Sequence, residues 1–433
     1  MKTMIEKYSS ALGERYYQIR HKSGLDIYVF PKKLTATYAL FATKYGSIDN
    51  CFRTENGETV NVPDGIAHYL EHRMFTQADG SDITERFSEY GADSNAYTTF
   101  TKTAYLFSCT ENFEKSLAAL LDFVTEPYFI EELVEKERGI IIQEIKMCQD
   151  DPYDRCFCGL LEALYQSNGV KTDVVGTEES VNRITADMLN TCYRTFYTPN
   201  NMALIVCGNV KPEAVVRIAN KTLPKSFRAI NVERMYPEEP RAVAAPLKEI
   251  YMNVSKPIFS IGVKDVDFAG DAQQRSRRDA AMSVLCEMLF SRSGELYNRL
   301  FEENIITPEF SYGYSISETF AFASVSGESE NPKFVLEEIK KHIGSAKDNG
   351  LSREDFERSR RVLYADYVKG FDSTDEIANS MLEFLFDGGD ILAYGDVLKA
   401  VTFEEVEALL QSAFDEDLFA MSVVYPDAQG RKE

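Results

Sequence analysis

Two of the four histidines in this 433-residue chain lie four residues apart, at positions 68 and 72, and Glu71 stands just before the second. On an α-helix, positions i and i+4 share one face, so His68 and His72 can direct their ring nitrogens at one cation. Glu71 can reach a water molecule on that cation without being a ligand itself. This pattern of residue types is typical of metal-assisted hydrolysis.

Two imidazoles do not complete a catalytic zinc site. Such a site needs three protein ligands and an open fourth position for water, so another side chain must contribute. Glu137 and Glu144 are seven residues apart and fall nearly on one face of a helix predicted over residues 131–148. A carboxylate that faces inward beside Ile140 and Ile141 is unfavourable unless a cation meets it.

Each pair also has a simpler interpretation. The histidine pair could be one core and one surface residue, and the glutamate pair could be a solvated helix face. Both pairs occur together, and the histidines lie in an apolar helix that begins near a plausible cap at Asp64; we therefore favour the metal site. The acidic run at Asp150, Asp151 and Asp154 is interpreted as solvated.

Local periodicity predicts the elements that would position these residues. Residues 25–30 and 37–45 alternate around a Lys-rich turn, which predicts an antiparallel opening hairpin. The expected elements after it are helices at 65–75, 81–90, 112–124, 131–148 and 181–197, a strand pair at 95–108, and a buried strand at 202–207.

The second half of the chain repeats the first in outline, at offsets of 215 to 222 residues. An internal duplication explains this, and it predicts an α+β fold with two homologous domains. Four of the fourteen prolines lie between residues 223 and 248, which indicates a linker. The predicted domains are therefore 1–222, which carries the metal residues, and 249–433, in which Ser283, Cys286 and Glu287 stand opposite His68, Glu71 and His72.

Composition excludes several classes of function. The 69 acidic against 47 basic residues give a net charge of −22, which repels a phosphate backbone and an anionic bilayer, so we expect neither nucleic-acid nor membrane binding. The first ten residues carry charges where a secretion signal needs an apolar run, so a cytoplasmic protein is expected. Eight cysteines without a regular spacing predict free thiols rather than a disulfide scaffold.

Residues 65–75, Gly-Ile-Ala-His-Tyr-Leu-Glu-His-Arg-Met-Phe, resemble the inverted zinc motif of the insulinase and pitrilysin peptidase family, M16. Strings at 91–105, 137–144, 176–181 and 197–210 resemble the same family in the same order. The resemblance is strong over about the first 215 residues and is mainly architectural beyond them. It is nearest to a bacterial subgroup of the family.

The resemblance implies a zinc-dependent endopeptidase for short or unfolded peptides. The two domains, each a mostly antiparallel sheet with helices packed on it, would form half of a clamshell around the substrate. Zn²⁺ would be the cofactor, bound by His68, His72 and Glu144. Glu71 would be the general base, and Glu137 would support the catalytic site from behind the ligands.

The same resemblance gives Asn95 and Ala96 a role in substrate binding. They would align the peptide as an added β-strand, so that backbone hydrogen bonds select extended chains.

The second half departs from the family pattern. Active members carry an Arg and a Tyr there that hold the substrate carbonyl, whereas this chain has Phe301 and Phe310 near those places. Arg299 or Tyr312 could substitute, but their spacing differs. The resemblance therefore implies a heterodimer with a homologous M16-like partner subunit that supplies the missing groups, with a homodimer or a weakly active monomer as the alternative. A non-catalytic peptide-binding or scaffold subunit of the same fold is the second functional hypothesis.

Overall fold

A computed structural model describes residues 4–427, which form two similar halves. The first half carries ten strands, of which the last lies in the predicted linker, and eight α-helices. Its strands are β1 Met4–Ser9, β2 Glu14–Arg20, β3 Asp26–Pro31, β4 Thr37–Thr43, β5 Cys51–Arg53, β6 Thr59–Asn61, β7 Ala92–Thr98, β8 Thr103–Cys109, β9 Met202–Gly208 and β10 Glu233–Arg234. Its helices are α1 Ile66–Phe75, α2 Ile83–Glu89, α3 Phe113–Thr125, α4 Glu131–Asp150, α5 Pro152–Leu164, α6 Glu178–Val181, α7 Ala186–Phe196 and α8 Pro212–Thr222.

The second half has one sheet and seven α-helices. Its strands are β11 Leu247–Met252, β12 Ile258–Lys264, β13 Ser311–Ile316, β14 Ala321–Glu328 and β15 Phe419–Pro426. Its helices are α9 Ala272–Phe290, α10 Glu295–Glu302, α11 Pro332–Asn349, α12 Arg353–Lys369, α13 Thr374–Phe386, α14 Tyr394–Ala400 and α15 Phe403–Ala413.

None of the helices described in residues 4–427 combines the length and the apolar character needed to cross a bilayer. All eight cysteines are free thiols, as expected.

The main sheet of the first half has the order β1-β2-β3-β9-β4-β8-β7. The predicted opening hairpin is wrong, because β9 lies between β3 and β4 and pairs with both, parallel to β3 and antiparallel to β4. All seven residues of β9 are buried, so this apolar strand is more stable in the middle of the sheet than at an edge. Of the helix predicted over 181–197, residues 186–196 form α7, and residue 181 instead ends the short helix α6.

The sheet of the second half has the order β11-β15-β12-β14-β13, which repeats β3-β9-β4-β8-β7 position by position. In both sheets only the first of these pairings is parallel. The predicted α+β class with two homologous, mostly antiparallel domains is confirmed.

The two halves exchange helices. Helix α5 of the first half packs on β11, β12 and β15 of the second sheet, and α13 of the second half packs on β4 and β9 of the first sheet. Leu160 and Leu164 of α5 are buried with Phe322, while Met381 and Leu382 of α13 are buried with residues of β3, β4 and β9. Neither sheet therefore has both of its faces covered by its own half.

The segment predicted as a linker is held in place. Strand β10 pairs with β5, and Arg234 Nε donates to Asp49 Oδ1 at 3.0 Å. Farther along, the Glu239 carboxylate accepts from the Ser167 amide at 2.7 Å and from Lys264 Nζ of the second half at 2.6 Å. These contacts fix the path of the chain between its halves.

Candidate metal centre

Helix α1 begins at a tight backbone contact. Its N-cap is Gly65, with φ of 83°, and no side chain caps the helix. The prediction that Asp64 is the cap is wrong, because the Asp64 carboxylate accepts from Asn50 Nδ2 at 2.6 Å instead. A Cβ on Gly65 would lie 2.5 Å from the Val175 carbonyl oxygen, so only glycine lets residues 175–176 approach the start of the helix.

Nearly every residue of α1 is buried, which places its polar side chains inside the first half rather than on a solvated face. His68 and Glu71 are each 7% exposed. The ring of His72 is more open, and it lies at a cavity beside α4. Burial of polar side chains such as His68 and Glu71 in an apolar helix is unfavourable unless they have partners.

Helix α4 supplies partners for the two histidines. Its apolar residues Ile141 and Ile145 are buried, which turns the adjoining face, with Glu137 and Glu144, toward α1. Glu144 Oε1 lies 3.5 Å from His68 Nε2, and Glu144 Oε2 lies 3.2 Å from His72 Nε2. The three predicted zinc ligands are thus brought together, and one donor atom from each lies within 4.8 Å of the others.

The donor atoms lie near the spacing that one zinc ion requires. Bonds of about 2.0–2.2 Å to nitrogen and oxygen place neighbouring ligand atoms of a tetrahedron about 3.3–3.6 Å apart. The contacts of 3.5 and 3.2 Å involve different oxygens of Glu144, and one donor atom from each of the three residues lies within 4.8 Å of the others. Two imidazoles and one carboxylate also form a known ligand set of catalytic zinc, with the fourth position left for water or substrate.

The same contacts alter the pKa values of the site. Hydrogen bonds from His68 and His72 hold the pKa of Glu144 well below its usual range. Burial lowers the pKa of His72, but the hydrogen bonds to Glu137 and Glu144 outweigh it and raise that pKa to about 10. The carboxylates therefore attract a positive charge to the point where the three donor atoms converge.

Glu71 lies beside the ligands and is held by a neighbour that the sequence did not identify. Burial raises the pKa of Glu71, and Thr98 Oγ1 donates to Glu71 Oε2 at 2.7 Å. Thr98 ends β7, so this contact depends on how β7 packs against α1. No local pattern around Thr98 predicts it.

Glu137 contacts the His72 ring at the nitrogen opposite the one that faces Glu144. Its Oε1 lies 3.3 Å from His72 Nδ1, the ring nitrogen that does not face Glu144. In contrast, His68 Nδ1 is buried and has no hydrogen-bond partner within residues 4–427. Of the two histidines, Glu137 therefore contacts only His72, and its supporting role behind the ligands stays a prediction.

Asn95 and Ala96 lie on β7, the edge strand of the large sheet, and both line the cavity that contains His68 and Glu71. They pair on one side with Leu106 and Tyr105 of β8. The Ala96 amide donates to Asn95 Oδ1 at 2.9 Å. An edge strand beside the metal centre has the position that an added peptide strand requires.

The cavity at the metal centre has a volume of about 630 Å³ and carries an acidic wall. Asp154 and Asp173 flank the buried Cys158, whose Sγ lies 3.7 Å from Asp173 Oδ2. Burial and the charge of Asp173 raise the pKa of Asp154. Asp150 and Asp151 are exposed, as interpreted, whereas Asp154 is half-buried at the cavity because α5 turns back beside α4.

The second half adds nothing to the lining of this cavity. All its lining residues among those described lie between positions 68 and 175. Phe301 stacks on Tyr297 at the surface, and Phe310 is buried against the same ring. Arg299 is paired with Glu338 at 2.7 Å, and Tyr312 donates to Glu287, so both candidate substitutes are engaged within the second half.

Comparison with known proteins identifies the family of both halves. Residues 57–178 match the family model of insulinase, peptidase family M16, and residues 183–363 match that of the peptidase M16 inactive domain. The first range contains all seven predicted site residues.

Individual relatives agree. The chain is 38% identical over 419 residues to the Bacillus subtilis protein named uncharacterized zinc protease YmfH, covering 96% of this chain and 97% of that one. It is 27% identical to the uncharacterized zinc protease SCO5738 of Streptomyces coelicolor, over 80% of this chain and 77% of that one. A crystal structure of an M16-like peptidase from Alicyclobacillus acidocaldarius superimposes with a TM-score of 0.91 at 33% identity, covering 99% of each chain. With the inverted histidine motif and both family domains present, this chain belongs to the M16 family of zinc proteases and their relatives.

Proposed function

We propose that this chain is the zinc-bearing subunit of an endopeptidase that hydrolyses short or unfolded peptides. The observation that carries the proposal is the convergence of one donor atom each from His68, His72 and Glu144 within 4.8 Å, with the Glu71 carboxylate beside them. The free thiols and the net charge of −22 are consistent with a cytoplasmic location.

Each residue then has a defined task. When bound by His68, His72 and Glu144, zinc would polarise the peptide carbonyl and lower the pKa of the attacking water. Glu71 takes a proton from that water and passes it to the leaving amine. Thr98 holds one Glu71 oxygen at 2.7 Å, which leaves the other oxygen for the proton. The buried surroundings raise the pKa of Glu71, and a carboxyl group whose pKa is raised is a better proton acceptor.

The edge strand β7 supports selection of extended substrates. A peptide that pairs with Asn95 and Ala96 would replace the Asn95 side chain as partner of the Ala96 amide. Folded domains have few free backbone groups to pair in this way, so short or unfolded chains are the expected substrates.

We propose a homologous M16-like chain as partner. The proposal is supported by the cavity lining, to which the second half of this chain does not contribute among the described residues, and by the engagement of Arg299 and Tyr312 elsewhere. A homologous partner facing the metal centre would supply the groups that hold the substrate carbonyl. A second copy of this chain is the alternative occupant.

The test combines metal content with cleavage. The full chain purified with zinc is expected to hold a single zinc ion, and to cleave a library of quenched fluorescent peptides faster when a homologous M16-like chain from the same genome is added. The stoichiometry of any complex is measured by light scattering. Full activity of the monomer alone would contradict the need for a partner, and absence of bound zinc would leave the scaffold hypothesis as the better one.

The acidic wall leads to a prediction about substrate preference. Asp154 and Asp173 repel each other, so a Lys or Arg side chain of the substrate would relieve that repulsion. The double variant Asp154→Asn, Asp173→Asn is expected to lower kcat/KM for peptides with a basic residue near the cleaved bond by roughly tenfold to a hundredfold. Peptides with neutral residues there should change little.

Asp150→Asn is the matched control, since Asp150 is exposed at the end of α4 and its loss removes a charge without altering the cavity. Equal losses for basic and neutral peptides in the double variant would rule out recognition of a basic side chain.

A further inference from the structure

We infer that Arg73 is a positioning residue for the metal centre, acting on His72 through Glu137. This inference rests on the proposed zinc site and extends it to a residue that binds neither metal nor substrate. Arg73 follows His72 directly in the chain, and it is the largest side chain of the described residues that is almost completely buried.

A buried guanidinium group is energetically costly unless its charge and its N–H groups have partners. Arg73 is 1% exposed, and its Nε has no hydrogen-bond partner within the described chain. Its Nη2 donates to the Tyr128 carbonyl at 3.3 Å. Burying a charge with incomplete hydrogen bonding is unfavourable, and an apolar side chain of similar size would fill the same space without that penalty.

Arg73 is paired with the carboxylate of Glu137. Arg73 Nη1 lies 3.7 Å from Glu137 Oε2, while Glu137 Oε1 lies 3.3 Å from His72 Nδ1. The two oxygens of one carboxylate are thus divided between the arginine and the histidine. A fixed positive charge on one side holds the carboxylate in the orientation that meets the imidazole on the other.

These contacts fix the ring orientation of one candidate metal ligand, His72. His72 Nδ1 held by Glu137 leaves Nε2 directed at the point where Glu144 and His68 converge. Among residues 4–427, His68 has no corresponding partner at its Nδ1, so the orientation of the ligand set depends mainly on the Arg73–Glu137–His72 chain. Partners behind metal ligands typically change metal affinity by about 10- to 100-fold when they are removed.

The experiment measures zinc affinity of the full-length protein by competition with a fluorescent chelator. Arg73→Met, which keeps the length and removes the charge, is expected to weaken zinc binding about tenfold. Glu137→Gln should weaken it by at least as much. Because Arg73 acts through Glu137, the double variant should bind zinc no more weakly than Glu137→Gln alone. Arg73→Lys keeps the charge but not the planar group, and should recover part of the affinity.

Arg278→Met is the matched control. Arg278 is a largely buried arginine of the second half that pairs with Asp265 at 2.6 and 2.7 Å. Its loss should lower the melting temperature, measured with chelator present, without changing zinc affinity. Should Arg73→Met not fold, Arg73→Lys and Arg73→Gln allow the same comparison.

Two results would overturn the inference. One is an Arg73→Met protein with reduced stability but parental zinc affinity, which would make Arg73 purely structural. The other is additive loss in the double variant, which would show that Arg73 acts independently of Glu137. If the parent chain itself binds no zinc, the proposed function fails, and that failure is distinct from either result.

Discussion

Replacing Glu71 with Gln is expected to lower peptide cleavage by about 10²- to 10⁴-fold while zinc remains bound. The amide keeps the size of the side chain and can still accept the hydrogen bond that Thr98 donates at 2.7 Å. It cannot take a proton from water. His68, His72 and Glu144 are unchanged, so the donor atoms that converge at the metal centre should hold the ion as before.

The measurements are kcat on a fluorogenic peptide and zinc content by mass spectrometry. Glu287→Gln is the matched control: Glu287 stands opposite His72 in the duplicated helix α9 and is 7% exposed, as Glu71 is. The control should keep parental activity. A Glu71→Gln protein that holds zinc and cleaves at the parental rate would exclude Glu71 as the base.

Residues 1–222 expressed alone are expected not to fold cooperatively, although they contain every predicted metal and catalytic residue. In the full chain, α13 covers one face of the first sheet, with Met381 and Leu382 completely buried there. Without α13, Tyr28, Leu40 and Ile205 would be exposed to water. Loss of that apolar contact removes a main source of stability.

Urea unfolding followed by circular dichroism, together with amide exchange, would test this expectation. As a milder version, Leu382→Ala in the full chain should reduce the free energy of unfolding by about 2–5 kcal/mol. Co-expression of residues 223–433 should restore folding of the first fragment. An isolated fragment with a sharp unfolding transition and protected amides would contradict the importance of the exchanged helix.

The candidate ligands could be proposed from the sequence because the two pairs depend on spacing within single helices. His68 and His72 are one turn apart, and Glu137 and Glu144 two turns apart, so helical periodicity puts each pair on one face. The family resemblance then distinguished Glu144 as the expected third ligand from Glu137. The duplication was also visible, since it repeats hydrophobic patterns along the chain. These features are local, and local geometry follows from residue order.

Contacts between distant segments could not be predicted in the same way. Strand β9 enters the sheet between β3 and β4 from about 170 residues farther along the chain, and nothing within residues 25–45 signals it. Thr98 reaches Glu71 only because β7 packs beside α1, and Asp154 reaches the cavity only because α5 turns back beside α4. The prediction of Asp64 as the N-cap of α1 was wrong for the same reason, since the Asp64 carboxylate accepts a hydrogen bond from Asn50 instead.

The sequence by itself thus determined the residue types of the candidate metal centre, their helical faces and the repeated α+β unit. The tertiary structure decided which neighbours hold Glu71 and Glu137, which acidic residues line the cavity, and that each sheet takes a helix from the other half. The physical reason is that a helix imposes its own periodicity over a few residues, whereas burial of polar groups and pairing of sheets depend on which distant segments pack together.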